Sequence, residues 1–173
     1  KLSERAVDIG AIRADGMPWA VGDWMALEAI GDRVHAFWVQ PDLVVRPAWV
    51  PFDAPADVTV LHIEPGATFG MGDQPTTILS LRAVRRLVTP GCSVLDVGCG
   101  SGVLAIGARV FGAASAVGVD IAPAAVPTTT ANAMANDVAD RVDVSTTDLA
   151  DVAGTFDIVV ANPPYIATSD ILT

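Results

Sequence analysis

The chain has 173 residues, 51% of them hydrophobic and 17% charged, which fits one soluble globular domain with a small appendage and excludes disordered and collagen-like chains. Ten Lys plus Arg face twenty Asp plus Glu, a net charge of -10 that repels a phosphate backbone and disfavours nucleic acid as a partner. Cys92 and Cys99 are too few for a disulfide framework and lack the spaced His or Cys of a zinc site, so a reduced, cytoplasmic setting is expected and no metal is implied.

Up to about Asp57 the sequence is a set of short apolar runs, 6–12, 24–30 and 34–40, broken by Gly-Asp, Asp-Gly and Pro pairs. They predict short strands and turns, hence a β-rich N-terminal appendage over residues 1–57. Trp19, Trp24, Trp38 and Trp49 all fall there and read as its core rather than as a platform for stacking bases. Lys1 to Arg5 lacks the layout of an export signal, and a chain opening on Lys suggests upstream residues removed or left out. Pro47, Pro51 and Pro55 then mark a linker or a stiff extended edge, because each proline removes a backbone donor.

From 58 to 173 strands and helices alternate. Residues 58–63 read as a β-branched strand, followed by a Gly-rich loop and a helix from Pro75 to about Val88 with Ile78, Leu81, Leu87 and Val88 on one face. Strand 93–97, helix 102–111, strand 114–119 and helix 123–136 form a βαβ unit, and strands 142–146 and 156–160 follow. The class is α/β, Rossmann-like, with a mainly parallel sheet. The longest apolar stretch, 103–119, is interrupted by Arg109 and is shorter than the roughly 20 residues of a membrane span, so no membrane partner is expected.

The strongest local signal is Val94-Leu95-Asp96-Val97-Gly98-Cys99-Gly100-Ser101-Gly102, a strand running into a glycine-rich turn and then a helix. Such a turn lies at the carboxyl end of the first strand, where ligands bind in doubly wound sheets. The dinucleotide fingerprint needs a third glycine where this chain has Val103, and Asp96 puts a carboxylate where a phosphate would sit. A cationic or zwitterionic ligand is therefore favoured over a pyrophosphate. Asp120 ends the next strand, close to the roughly 20-residue spacing of an acid that accepts from ribose hydroxyls. Asp148 follows the third strand and reads either as an acceptor for an adenine amine or as the N-cap of a turn. Asn162-Pro163-Pro164-Tyr165 closes the fourth: the Asn162 amide oxygen and the Pro163 carbonyl can accept N–H donors, and the Tyr165 ring can pack on a planar group. Held this way, an amide or amine nitrogen has its lone pair aimed at an electrophile.

These residues resemble a class I methyltransferase using S-adenosyl-L-methionine, with Asp96 to Gly100 as the cofactor loop. Upstream, Glu64-Pro65-Gly66-Ala67-Thr68-Phe69-Gly70-Met71-Gly72-Asp73-Gln74-Pro75-Thr76-Thr77 is similar to the signature of PrmA-type ribosomal-protein methyltransferases. The resemblance covers about 46–166. It implies that Thr77, Gly98, Asp120 and Asn162 touch the cofactor and that Phe69 and Gly70 line its methionine end. Gly100, Gly102, Asp96 and Asp148 complete the expected cofactor set, with Asn162, Pro163 and Tyr165 as the acceptor-orienting set.

Three features depart from the PrmA pattern. Asp73 and Gln74 replace its usual Thr and His; Pro163-Pro164-Tyr165 instead resembles HemK-type enzymes that methylate amide or base nitrogens; and Pro127 lies one turn into the helix after Asp120, where it forces a kink or a late start. Class I enzymes resemble a seven-stranded sheet, so the chain also looks truncated after the fourth strand, its C-terminal strands missing.

The expected activity is methyl transfer to a nitrogen of a protein, peptide or small molecule. A nucleobase N-methyltransferase acting on RNA or DNA, a non-catalytic cofactor-binding module and an NAD(P)-dependent reductase are the alternatives. His35 and His62 read as buried, hydrogen-bonded histidines, and Cys99 as a small buried hydrophobe. Asn132 and Asn136 share a helix face and echo the family pattern, but read equally as a helix stop and are given no site role.

Overall fold

A computed structural model describes residues 24–30, 33–40, 42–47, 53–64, 66, 68 and 74–163. The predicted strand 6–12 and Trp19, Trp49 and Pro51 lie outside the described residues.

Strands β1 (Trp24–Ile30), β2 (Arg33–Gln40) and β3 (Leu43–Arg46) form an antiparallel meander, and β4 (Thr59–His62) pairs with β3 in parallel. A parallel partner needs a crossover, and the Pro-rich stretch supplies it: the Val58 N–H bonds to the Pro55 carbonyl at 3.0 Å, turning the chain into β4. The division at Asp57 thus falls between two paired strands of one sheet. Leu43, Val45, Leu61 and Ile63 also pack into the same hydrophobic cluster as the helices and the second sheet, so β3 and β4, on either side of the proline tract, share one core.

The second sheet is fully parallel in the order β7-β6-β5-β8, built from β5 (Ser93–Val97), β6 (Ser115–Val119), β7 (Val142–Ser145) and β8 (Ile158–Ala161). Val142, Ala116, Val94 and Ile158 lie in one cross-strand row that packs into the cluster. Side chains alternate between faces, so Asp96, two residues after Val94, points to the same side. The strand order reverses between β5 and β8. Asp157 pins this junction, its Oδ2 accepting from the Ser93 N–H (2.8 Å) and hydroxyl (2.9 Å).

Among the described residues three α-helices cover the core. In α1 (Pro75–Leu87), Thr77, Ile78, Leu81 and Val84 form the buried stripe; Leu87, expected on that face, is 60% exposed, and Val84 takes its place one turn earlier. Helix α2 (Val103–Val110) is buried from Val103 through Ala108, and Gly107 admits α1: a Cβ there would lie 2.7 Å from Leu81 Cδ2. Helix α3 (Ala125–Ala135) starts two residues later than the predicted 123. That late start resolves the conflict at Pro127, which becomes the third helical residue, in the first turn where no intrahelical acceptor is waiting.

Candidate active site at the sheet switch point

The carboxyl ends of β5 and β8 lie side by side where the strand order reverses, the place an open parallel sheet leaves a crevice. The turn leaving β5 is left-handed at Gly98 (φ 73°), Gly100 (φ 53°) and Gly102 (φ 79°), a conformation that a side chain disfavours. Its backbone is held from three sides. The Gly98 and Cys99 N–H groups donate to the Val119 carbonyl at 2.8 and 3.1 Å, the Gly100 N–H donates to Asp120 Oδ2 at 2.8 Å, and the Gly100 carbonyl accepts from the Thr129 hydroxyl at 3.1 Å.

Asp120 stands beside this turn. Its Oδ1 accepts from the Ala122 N–H at 2.8 Å, so each oxygen holds one backbone donor and keeps acceptor capacity. The next residue, Ile121, is 94% exposed, a large apolar surface at the rim that sequence reasoning missed.

Asp96 lies under the turn rather than in front of it. It is 1% exposed, and its Oδ2 accepts from the Ala105 N–H, third in α2, at 3.1 Å. Burial, with the Asp120 charge adding to it against that hydrogen bond, pushes its pKa up to about 7. Its face of β5 sends the side chain into the helix layer, so the expected ligand-facing carboxylate is replaced by a buried brace for the start of α2. Cys99 is also buried, and its pKa is pushed up to about 12, chiefly by burial, which leaves an unreactive thiol.

On the β8 side, the Asn162 amide donates through Nδ2 to the Thr77 hydroxyl at 3.0 Å, joining residues 85 apart in sequence. Pro163 closes onto the glycine turn: a Cβ on Gly98 would lie 3.3 Å from Pro163 Cβ. Asp148 caps the short 3-10 turn Leu149–Asp151, its Oδ1 accepting from the Ala150 N–H at 2.9 Å, and it is exposed. The structure thus brings together Gly98, Gly100, Gly102, Asp120, Thr77, Asn162 and Pro163. Phe69, Gly70, Pro164 and Tyr165 lie outside the described residues.

Two asparagines at the end of α3 tie that helix to β4, and the first of them also reaches the glycine turn. Asn132 and Asn136 of α3 bond to the backbone of Glu64 and His62, and Asn132 also reaches the Ser101 carbonyl. Their i, i+4 spacing was visible; their partners, 68 and 74 residues away, were not. The His62 ring departs from expectation: among the described residues its buried Nδ1 has no hydrogen-bond partner, and burial followed by the Arg46 charge lowers its pKa. Among the described residues no group of three His, Cys, Asp or Glu is placed to hold a metal, and no helix is long and apolar enough to cross a membrane.

Residues 20–167 match the family described as ribosomal protein L11 methyltransferase (PrmA). The chain belongs to the PrmA family. Relatives named ribosomal protein L11 methyltransferase include one from Desulfotalea psychrophila, 39% identical over 128 residues, covering 73% of this chain and 43% of that protein. Another, from Symbiobacterium thermophilum, is 37% identical over 177 residues, covering 97% of this chain and 55% of that protein. The chain therefore spans about half the length of these relatives. A crystal structure of a ribosomal protein L11 methylase from Lactobacillus delbrueckii subsp. bulgaricus superposes with a TM-score of 0.61 at 35% identity, covering 69% of this chain and 61% of that one. The Rossmann-like methyltransferase fold expected from the sequence agrees with that neighbour. PrmA membership leaves the nicotinamide-dependent reductase reading without support.

Proposed function

We propose that this PrmA-family chain binds S-adenosyl-L-methionine at the switch point and directs its methyl group to a nitrogen of a protein side chain. The residues fit that ligand. The left-handed turn keeps side chains out of the crevice between β5 and β8, and Asp120 retains lone pairs for two ribose hydroxyls while Ile121 offers an apolar surface to a planar base. A pyrophosphate would instead meet the Asp120 carboxylate with no cation described beside it. Asp148, capping through Oδ1, can still receive an adenine amine on its other oxygen. Bound, the cofactor supplies an electrophilic methyl on a sulfonium.

The chain's own part is to hold the acceptor. With Nδ2 committed to Thr77, the Asn162 amide presents Oδ1 as an acceptor, and the carbonyl of the next residue, Pro163, would supply a second one. Two acceptors at one point select an N–H donor and fix the direction of its lone pair. Tyr165, two residues on, would pack against the acceptor. The Asn162–Thr77 hydrogen bond beside Gly98 is the observation that carries this reading. Because Thr77 is buried in α1, it acts on Asn162 more directly than on the cofactor.

A protein acceptor is favoured by relatives named for methylating a ribosomal protein and by the net charge of -10, which opposes RNA; a cytoplasmic location follows from the same reading. Incubation with methyl-labelled S-adenosyl-L-methionine and a ribosomal-protein fraction tests the proposal. Label on side-chain or terminal nitrogen of a protein is expected. Label on RNA alone, or on protein oxygen alone, overturns it.

A further inference from the structure

Asn132 is 2% exposed and spends its whole carboxamide on backbone from two other parts of the fold. Its Oδ1 accepts from the Glu64 N–H at 2.9 Å, and its Nδ2 donates to the Glu64 and Ser101 carbonyls, both at 2.8 Å. One turn later Asn136 repeats the first half of the pattern on His62, accepting from its N–H at 2.9 Å and donating to its carbonyl at 2.7 Å. The remaining Asn136 contact is a donation back to the Asn132 carbonyl at 2.7 Å.

The geometry explains why the match is possible. Thr59 and Ile63 donate their N–H groups toward the β3 side, to Asp42 and Arg46, so residues 62 and 64 point their backbone groups to the opposite edge of β4. Two strand residues span about 6.6 Å and four helical residues about 6.0 Å, so amides at i and i+4 on a helix meet alternate strand residues. The asparagines stand where another strand would pair. Only Asn132 also reaches the glycine turn, next to Thr129, which holds the preceding carbonyl of Gly100 at 3.1 Å.

We propose that Asn132 is a positioning residue of the cofactor site, its one carboxamide fixing the 98–102 turn relative to the backbone that leaves β4 at Glu64. The residue thus fixes the distance between the end of β4 and the turn that leaves β5. The inference rests on reading the turn as that cradle. Asn136 sets only the register of α3 against β4.

Calorimetric titration with S-adenosylhomocysteine, well below each variant's unfolding midpoint, separates the roles. Asn132→Asp keeps the acceptor for Glu64 N–H but faces two carbonyls with oxygen, and an affinity loss of about tenfold or more is expected. Asn136→Ala removes the His62 clamp without touching the turn; its affinity should stay within about twofold of the unaltered chain even though its unfolding midpoint falls. Asn132→Ser, which buries no charge, should weaken binding in the same direction. Affinity unchanged in folded Asn132 variants, or an equal loss in Asn136→Ala, overturns the positioning role alone. Failure of both Asn132 variants to fold makes the residue purely structural and also overturns it. Failure of the unaltered chain to bind overturns the cofactor reading, and the positioning role with it.

Discussion

At the end of β6, Asp120 takes one backbone N–H on each carboxylate oxygen, from Gly100 and Ala122, and so faces the crevice already oriented. Replacing it with Ala should weaken S-adenosylhomocysteine binding at least about tenfold, near 1.4 kcal/mol, as measured by calorimetry. Unchanged affinity would remove Asp120 from the ribose site. Asn162→Ala should lower turnover far more than it lowers the unfolding free energy if, as proposed, its amide orients the acceptor; equal proportional losses would make it a structural residue. Asp96 behaves differently. Its folded pKa of about 7 lies above the ordinary 3.8, so between those values the folded state keeps a proton that the unfolded chain has released. Its contribution to stability is full below about pH 4 and is lost as pH rises through about 7. In urea unfolding across that window, the unaltered chain should lose stability relative to Asp96→Asn as pH rises. Parallel profiles would contradict the buried, proton-holding carboxyl.

Among the elements, the β5–turn–α2 unit concentrates the constraints. A Cβ on Gly102 would lie 2.5 Å from Thr129 Cγ2, whereas one on Gly112, also left-handed at φ 111°, meets nothing within 4 Å. Gly102→Ala should therefore destabilise the chain by about 2–4 kcal/mol and Gly112→Ala by about 1–2 kcal/mol, read by denaturant unfolding. Equal losses would mean that the turn is not pressed against α3. This unit was legible in the sequence because its signals are local: a β-branched strand, glycines at alternate positions and an apolar helix in one continuous stretch. Pro127 was legible in part: of the kink or late start it was expected to force, α3 takes the late start, at Ala125. The Asp96 environment was not, since the acid's position in the motif does not reveal that its face of the strand lies beneath the helix. Nor was the asparagine clamp, whose partners are backbone groups on a distant strand and carry no side-chain signature. The 60% exposure of Leu87 has the same origin: the face that α1 buries is the one that meets α2, through Leu81 against Gly107, and the helix's own periodicity cannot register that partner.

Across the whole molecule, β3 and β4 contribute to the same hydrophobic cluster as α1, α2 and the second sheet, so β3, although it precedes residue 58, belongs to that core. The Pro tract looked like a linker because proline marks both linkers and crossovers, and only pairing of β4 with β3 distinguishes them. This shared core places the glycine turn beside the end of β8, with Glu64 tied to that turn through Asn132, and cofactor binding is the claim on which the rest depends. The most direct measurement is calorimetric titration of the purified chain with S-adenosylhomocysteine, using NAD as the control ligand. Saturable micromolar binding of S-adenosylhomocysteine with no NAD binding is the expected result. Binding of NAD, or of neither ligand, would contradict the assignment of this crevice as an S-adenosyl-L-methionine site.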